Sequence, residues 1–241
     1  MSEAKHDWEL VAAQEPFFGV VSAGVFRMSQ MDAEARALFY ESGDKDIAHL
    51  MACFDADIGA RPSGGRALDF GCGVGRLTRV MASIASEVTG YDVAPSMIAA
   101  AREAVPANVT LTTEFPKGPF DWINSYIVFQ HIPPEEGLAL LDACLAAAAP
   151  SAFISLHFTG WRDGGLPSQS PLAKTKRWLL RQKHRRAGAS AEPLIRMYDY
   201  DFSEIMRRLS AHGFDRVVTR HTEHGGHHGA WFISRRSDGG I

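Results

Sequence analysis

The residues best suited to chemistry begin at Asp69, near the end of a short apolar run, Ala67–Phe70. Glycines follow it at alternate positions, Gly71, Gly73 and Gly75. A strand that feeds a tight glycine turn and then a helix N-terminus lets backbone N–H groups approach a nucleotide-like ligand. Spacing excludes two ligands. A dinucleotide fingerprint, G-x-G-x-x-G/A, would need Gly or Ala where Arg76 stands, and a phosphate loop would need Gly-Lys-Ser/Thr, which is absent. Asp92 ends the next apolar run, about 20 residues past the turn, where a ribose-hydroxyl acceptor belongs. Six of the ten histidines, His131, His157, His221, His224, His227 and His228, fall at or after predicted strand ends. Ligands of α/β sheets sit outside those ends, and imidazole titrates near neutral pH, so these are candidates for proton transfer.

Alternating strands and helices must position these groups. Periodicity predicts strands at 66–70, 87–91, 109–112, 122–128 and 152–158, followed by a C-terminal pair at 216–221 and 230–234. Between the first two strands, Leu77, Val80, Met81 and Ile84 share a helical face. Pro95 and the pair Pro133-Pro134 mark helix starts, and Gly213 is expected to close the last helix. Residues 7–60 read as helices. Ala33–Phe39 and Ile47–Phe54 form two of them, the second capped by Asp44 or Asp46.

The arrangement D-x-G-x-G-x-G, then Tyr91-Asp92-Val93-Ala94-Pro95-Ser96-Met97, then the Phe120–Pro133 strand and loop with Asp121 and His131, resembles class I S-adenosylmethionine (AdoMet)-dependent methyltransferases over roughly residues 66–236. The resemblance implies an α/β, Rossmann-like, seven-stranded and mostly parallel sheet. It would have a C-terminal antiparallel hairpin and helices on both faces. It also implies AdoMet as cofactor and S-adenosylhomocysteine as product. On it, Asp69 meets the ammonium of the amino-acid end. Gly71, Gly73 and Gly75 take the carboxylate, with Cys72 a small buried filler in the loop. Asp92 takes the ribose, and Val93 and Met97 pack near the adenine. Glu114-Phe115 is a loose third motif, and Tyr126 and Gln130 complete the cofactor set. Asp121 reads as structural. The expected reaction is O-methylation of a polar small molecule, such as a sugar or natural-product hydroxyl, with His131 or His157 as base. Small-molecule N-methylation and a non-catalytic AdoMet-binding module are the alternatives.

Bulk composition fits one catalytic domain with a cap. At 241 residues the chain can bury a sizeable core, and 46% hydrophobic with 22% charged residues argues against disorder. The expected division is a helical cap or lid over residues 1–60 and a cofactor-binding core over 61–241, with a basic insertion at 159–200. Seven Lys or Arg fall within 174–186, on a chain of net charge −3. This island could meet an anionic acceptor or a membrane surface, or be a solvated flap. No nucleic-acid partner is expected, because no aromatic platform accompanies the charges. Beyond the insertion, Arg196, Tyr198 and Tyr200 could bond a polar acceptor, with His224 and His227 beside them. Cys53, Cys72 and Cys144 form neither a disulfide framework nor a metal knuckle. No bound metal is expected, since the histidine-rich turn matches no ligand spacing. A cytoplasmic location follows from the lack of an apolar leader or membrane-length run.

Overall fold

The computed structural model describes residues 3–164 and 195–237. Seven strands form one sheet: β1 (Arg66–Phe70), β2 (Glu87–Tyr91), β3 (Val109–Thr112), β4 (Phe120–Ser125), β5 (Ala148–Arg162), β6 (Val217–His224) and β7 (His227–Arg235). Their spatial order is β3-β2-β1-β4-β5-β7-β6. The first five run parallel, and β7 pairs antiparallel with both β5 and β6. The order reverses between β1 and β4, which opens a crevice at their carboxyl ends. β4 shows why both faces must be covered: Ile123 packs with Leu141 and Leu145 on one side, while Trp122 packs with Phe54 and Met81 on the other.

Helices cover these faces. α1 (Glu3–Gln14), α2 (Pro16–Val20) and α3 (Ala33–Asp57) precede the sheet. α4 (Thr78–Met81), α5 (Pro95–Ala101), α6 (Pro134–Ala146) and α7 (Phe202–Ala211) follow within it. Pro95 and Pro134 open their helices as expected, and Gly213, at φ +81°, follows α7. A third core lies under α1 and α2, where Val11, Phe17, Phe26 and Phe39 meet Val74, Ala94 and Met97.

Five expectations need correction. The two helices expected within 33–54 are one, α3, capped by Asp32, whose carboxylate accepts the Ala35 N–H at 2.8 Å. Gly43 does not break it. Its bare Cα lies against the Arg76 backbone, where a Cβ would sit 2.6 Å from the Arg76 carbonyl oxygen. Asp44 and Asp46 instead pair with Arg79 and Arg76. The helix after β1 is a single turn. β4 stops at Ser125, because Ile127 turns left-handed at φ +58°. β5 is fifteen residues long, because β7 continues the ladder from Phe153↔Arg235 to Arg162↔His227. The last hairpin turns on Gly225 and Gly226 alone, both at positive φ, so His224 and His227 are the final ladder pair and not a loop.

Candidate cofactor and acceptor site

An open cavity, with about 800 Å³ of empty space counting the solvent at its mouth, fills the crevice. Its walls are Phe70, Gly71 and Gly73 from the β1 turn, Tyr91, Asp92, Val93 and Met97 from β2 and α5, and Tyr126–Val128, His131 and Ile132 after β4. Glu136 and Leu140 of α6 close one end, and Lys5, Trp8, Gly19 and Val20 of α1 and α2 form the roof. A second, much smaller cavity adjoins it, lined by Val20, Asp69, Gly71, Cys72, Arg76, Leu77, Tyr126 and Ile127.

Two positions of the turn between them have no room for a side chain. Gly71 sits at φ +78°, and a Cβ there would lie 2.4 Å from a Val128 methyl; at Gly73, φ +52°, it would lie 2.7 Å from Val20. The Gly71 and Cys72 amides donate to the Tyr91 carbonyl at 2.8 and 2.9 Å, which ties the turn to the end of β2. There the Asp92 carboxylate accepts the Gly73 N–H at 3.0 Å and the Ala94 N–H at 2.9 Å. Burial outweighs those two donors and pushes Asp92 up to about 6.

Asp69 is held from both sides. One oxygen accepts the Asn124 amide at 3.0 Å and the other the Thr78 hydroxyl at 2.6 Å. Asn124 in turn accepts from Ser155, which accepts from the Trp122 indole N–H. Burial raises the Asp69 pKa despite these donors. Facing the same small cavity, the buried Arg76 donates to Asp46 at 2.6 Å and to Ser42 at 3.1 Å, while its Nε is buried without a partner. A guanidinium, a carboxylate and glycine backbone around one cavity complement a zwitterionic amino-acid end. Sequence reasoning missed Arg76, Thr78, Asn124 and Ser155. The available signal was polar residues inside otherwise apolar strands, and an arginine where a dinucleotide loop has a small residue.

His131 lines the large cavity, edge-on to Trp8 at 5.0 Å. Its Nδ1 donates to the Arg196 carbonyl at 2.7 Å. Its Nε2 then accepts from the Gln130 amide at 3.1 Å, and the Gln130 oxygen accepts from Thr159 at 2.7 Å. This network assigns the tautomer. Burial pushes His131 down to about 4. Both nitrogens are engaged, so the ring does not present a free base.

His157 does not end β5. It is fully buried in mid-strand opposite Trp231, bonded through Nε2 to Thr222 at 2.8 Å and pushed down to about 3 by burial. It lines neither cavity. The further residues expected at the site divide in the same way. Asp69, Gly71, Cys72, Gly73, Asp92, Val93, Met97 and Tyr126 line one cavity or both. Gly75 packs on Ala101 and Val105 instead. Glu114 is exposed, and Phe115 lies behind the wall against Phe70 and Tyr91. Gln130 acts behind His131. Arg196 pairs with Asp7 of α1 at 3.0 Å, and the Tyr198 amide donates to the Gln130 carbonyl. Tyr200 is buried and gives its hydroxyl to the Ile132 carbonyl at 2.8 Å, so it is an anchor. His224 packs on Tyr126 and His157, and His227 pairs with it across the hairpin. None of these last five lines either cavity. Asp121 is structural, accepting the Arg66 N–H at 2.8 Å. The basic run 174–186 lies outside the described residues. Among the described residues, no group of three or more His, Cys, Asp or Glu is placed to hold a metal ion, and no helix is long and apolar enough to cross a membrane.

Residues 67–151 match the family model described as a methyltransferase domain. The fold around them is that of the class I AdoMet-dependent methyltransferases. The ubiquinone biosynthesis O-methyltransferase of Xanthomonas campestris pv. campestris is 32% identical over 104 residues, 39% of this chain and 42% of that protein. The 2-methyl-6-phytyl-1,4-hydroquinone methyltransferase of Synechocystis is 32% identical over 97 residues, 36% of this chain and 30% of that one. The chain thus spans less than half the length of either relative. In fold, the AdoMet-bound magnesium protoporphyrin IX methyltransferase of Synechocystis superposes with a TM-score of 0.62 at 18% identity, covering 98% of this chain and 99% of that one. A phosphoethanolamine N-methyltransferase of Haemonchus contortus does so at 0.54 and 18%, covering 80% and 53%. The matched segment 67–151 therefore lies within a fold that this chain shares with those two proteins.

Proposed function

We propose that this protein binds AdoMet across the two cavities and methylates a small-molecule hydroxyl. One observation carries the reading: a cavity complementary to a zwitterion, bearing Arg76, Asp69 and the glycine turn, opens beside a larger, mostly apolar one that bears Asp92. Arg76 and the turn would hold the carboxylate, Asp69 the ammonium, Asp92 the ribose hydroxyls, and Val93 and Met97 the adenine. When bound, AdoMet supplies a methyl group activated by its sulfonium.

This chain's own residues then align and enclose the reactants. Three consecutive residues of α1 hold the roof down. Asp7 pairs with Arg196, Trp8 packs on His131, and Glu9 accepts from the Ser96 hydroxyl at 2.5 Å and its amide at 3.2 Å. His131 fixes the wall at this point rather than drawing a proton, since its lone pair already accepts from Gln130. That arrangement favours an acidic hydroxyl, such as a phenol or enol, over a sugar hydroxyl that needs a strong base. The relatives' names, an O-methyltransferase of ubiquinone biosynthesis and a hydroquinone methyltransferase, are consistent with such acceptors.

Calorimetry with S-adenosylhomocysteine tests the cofactor reading, and a folded protein giving no heat refutes it. Release of S-adenosylhomocysteine from AdoMet, measured with a panel of catechols and of sugars, tests the acceptor. Turnover on sugars alone would reverse the preference, and binding without turnover on any hydroxyl would leave a module without this activity.

A further inference from the structure

The two cavities share four lining residues, Val20, Gly71, Tyr126 and Ile127. On the cofactor reading, which this inference rests on, the small cavity takes the amino-acid end and the large one the nucleoside. The sulfonium joins those two parts, so it must lie where the cavities meet. Of the four shared residues, Tyr126 alone has a polar side chain. We propose that the Tyr126 hydroxyl stands at this junction against the sulfonium methyl and orients the acceptor oxygen toward it, as a substrate-positioning group.

The geometry fixes the ring and leaves its oxygen available. Tyr126 stacks on Trp231 with centroids 4.6 Å apart and planes at 16°. His157 meets it edge-on at 5.5 Å and His224 at 6.1 Å. No described residue hydrogen-bonds its hydroxyl, and that oxygen is not among the sealed, unpartnered polar atoms. The next residue, Ile127, is β-branched and left-handed at φ +58°. Strain of this kind persists where the surrounding structure imposes it, commonly at functional sites. Here it follows the end of β4 at Ser125 and fixes Tyr126 beside both cavities.

Burial pushes the Tyr126 phenol up to about 12, so it stays protonated at neutral pH. A neutral phenol can accept weak C–H···O contacts from a polarised methyl and still bond an acceptor hydroxyl. In the transfer, the acceptor oxygen takes the methyl, the sulfur keeps the bonding pair, the acceptor's proton passes to solvent, and Tyr126 keeps its own. His157 and His224 hold the ring from behind.

The test uses the whole chain with methyl-13C AdoMet and with S-adenosylhomocysteine. Tyr126→Phe retains the stack on Trp231. The expected result is a shifted methyl resonance for bound AdoMet and a loss of AdoMet affinity of roughly 2- to 5-fold relative to S-adenosylhomocysteine. An unchanged methyl resonance and an unchanged affinity ratio would overturn the proposal while leaving the cofactor reading intact. A wild-type protein with no bound-methyl signal would overturn both. Should the variant fail to fold, tyrosine Cζ labelling of the wild type serves. One of the five tyrosine signals should differ between the two complexes, and five identical signals would overturn the proposal.

Discussion

Lowering the pH from 7.5 to 5 should weaken cofactor binding about tenfold through one group, Asp92, as each unit below its pKa costs a factor of ten or about 1.4 kcal/mol. The value follows from its surroundings. Two backbone N–H donors, from Gly73 and Ala94, favour the ionised carboxyl, but burial among the cavity walls outweighs them and leaves it at about 6, against 3.8 for a free aspartate. Only the ionised form accepts from both ribose hydroxyls while keeping those two amides. The loss should therefore be slight at pH 7, about tenfold at pH 5 and about a hundredfold at pH 4. Stability of the free protein should move the opposite way. The folded state keeps this proton up to about pH 6 and the unfolded chain releases it near 4, so this group's contribution falls as pH rises between them. Calorimetry with S-adenosylhomocysteine at constant ionic strength, from pH 5 to 7.5, reads the effect directly. Asp92→Asn should bind roughly 10- to 100-fold more weakly at pH 7.5, the value of a lost charge-assisted bond, and should show a flatter profile on acidification. His131 at about 4 and His157 at about 3 stay neutral across this window. A flat wild-type profile, or an equally steep one in Asp92→Asn, would refute the reasoning.

Arg76→Met should cost roughly 10- to 100-fold in S-adenosylhomocysteine affinity, the worth of a buried charge-assisted pair, yet spare 5′-methylthioadenosine, which lacks the amino-acid end; equal losses for both ligands would show that Arg76 acts only through the fold. Gly71→Ala should destabilise the protein by about 1–3 kcal/mol, because alanine must take φ +78° against Val128, and urea unfolding measures this; no change would mean that the turn relaxes freely. His131 and His157 have folded pKa values below the ordinary 6.5, so the native state binds fewer protons and stability should fall as pH drops below 6.5 toward 4. Two such groups give a slope approaching about 2.7 kcal/mol per pH unit, offset at lower pH by Asp92 and by Asp69, whose carboxyls burial raises. His157→Gln should flatten the urea-midpoint slope by about one proton, and a wild-type slope of zero would contradict the burial of both rings.

Much of the lining of the proposed cofactor site was legible because its signals are local. Gly71 and Gly73 reflect a backbone geometry that few other residues can take, and Asp92 sits a fixed chain length beyond them. The surroundings of the histidines were not legible, since they depend on where long strands stop. The apolar run 152–158 made His157 look like a strand end, but β7 supplies hydrogen bonds as far as Arg162 and buries the ring. The turn His224–His228 looked like a rim loop, but two glycines suffice to reverse the chain, so the flanking histidines joined the ladder. Residues 33–39 and 47–54 looked like two helices, but α3 runs through both, and Gly43 allows the close approach of Arg76.

By itself, the order of residues determined the parallel core, the hairpin at its end and the glycine turn facing Asp92, because hydrophobic period and backbone-restricted residue types act over a few positions. Tertiary structure alone decided which polar groups keep a free atom. His131 lost both its nitrogens to Arg196 and Gln130, Tyr200 gave its hydroxyl to Ile132, and Arg76 was drawn between α3 and the small cavity. A side chain's chemistry depends on the partners that burial supplies. Those partners come from elements distant in the chain, such as Arg196 some 65 residues beyond His131.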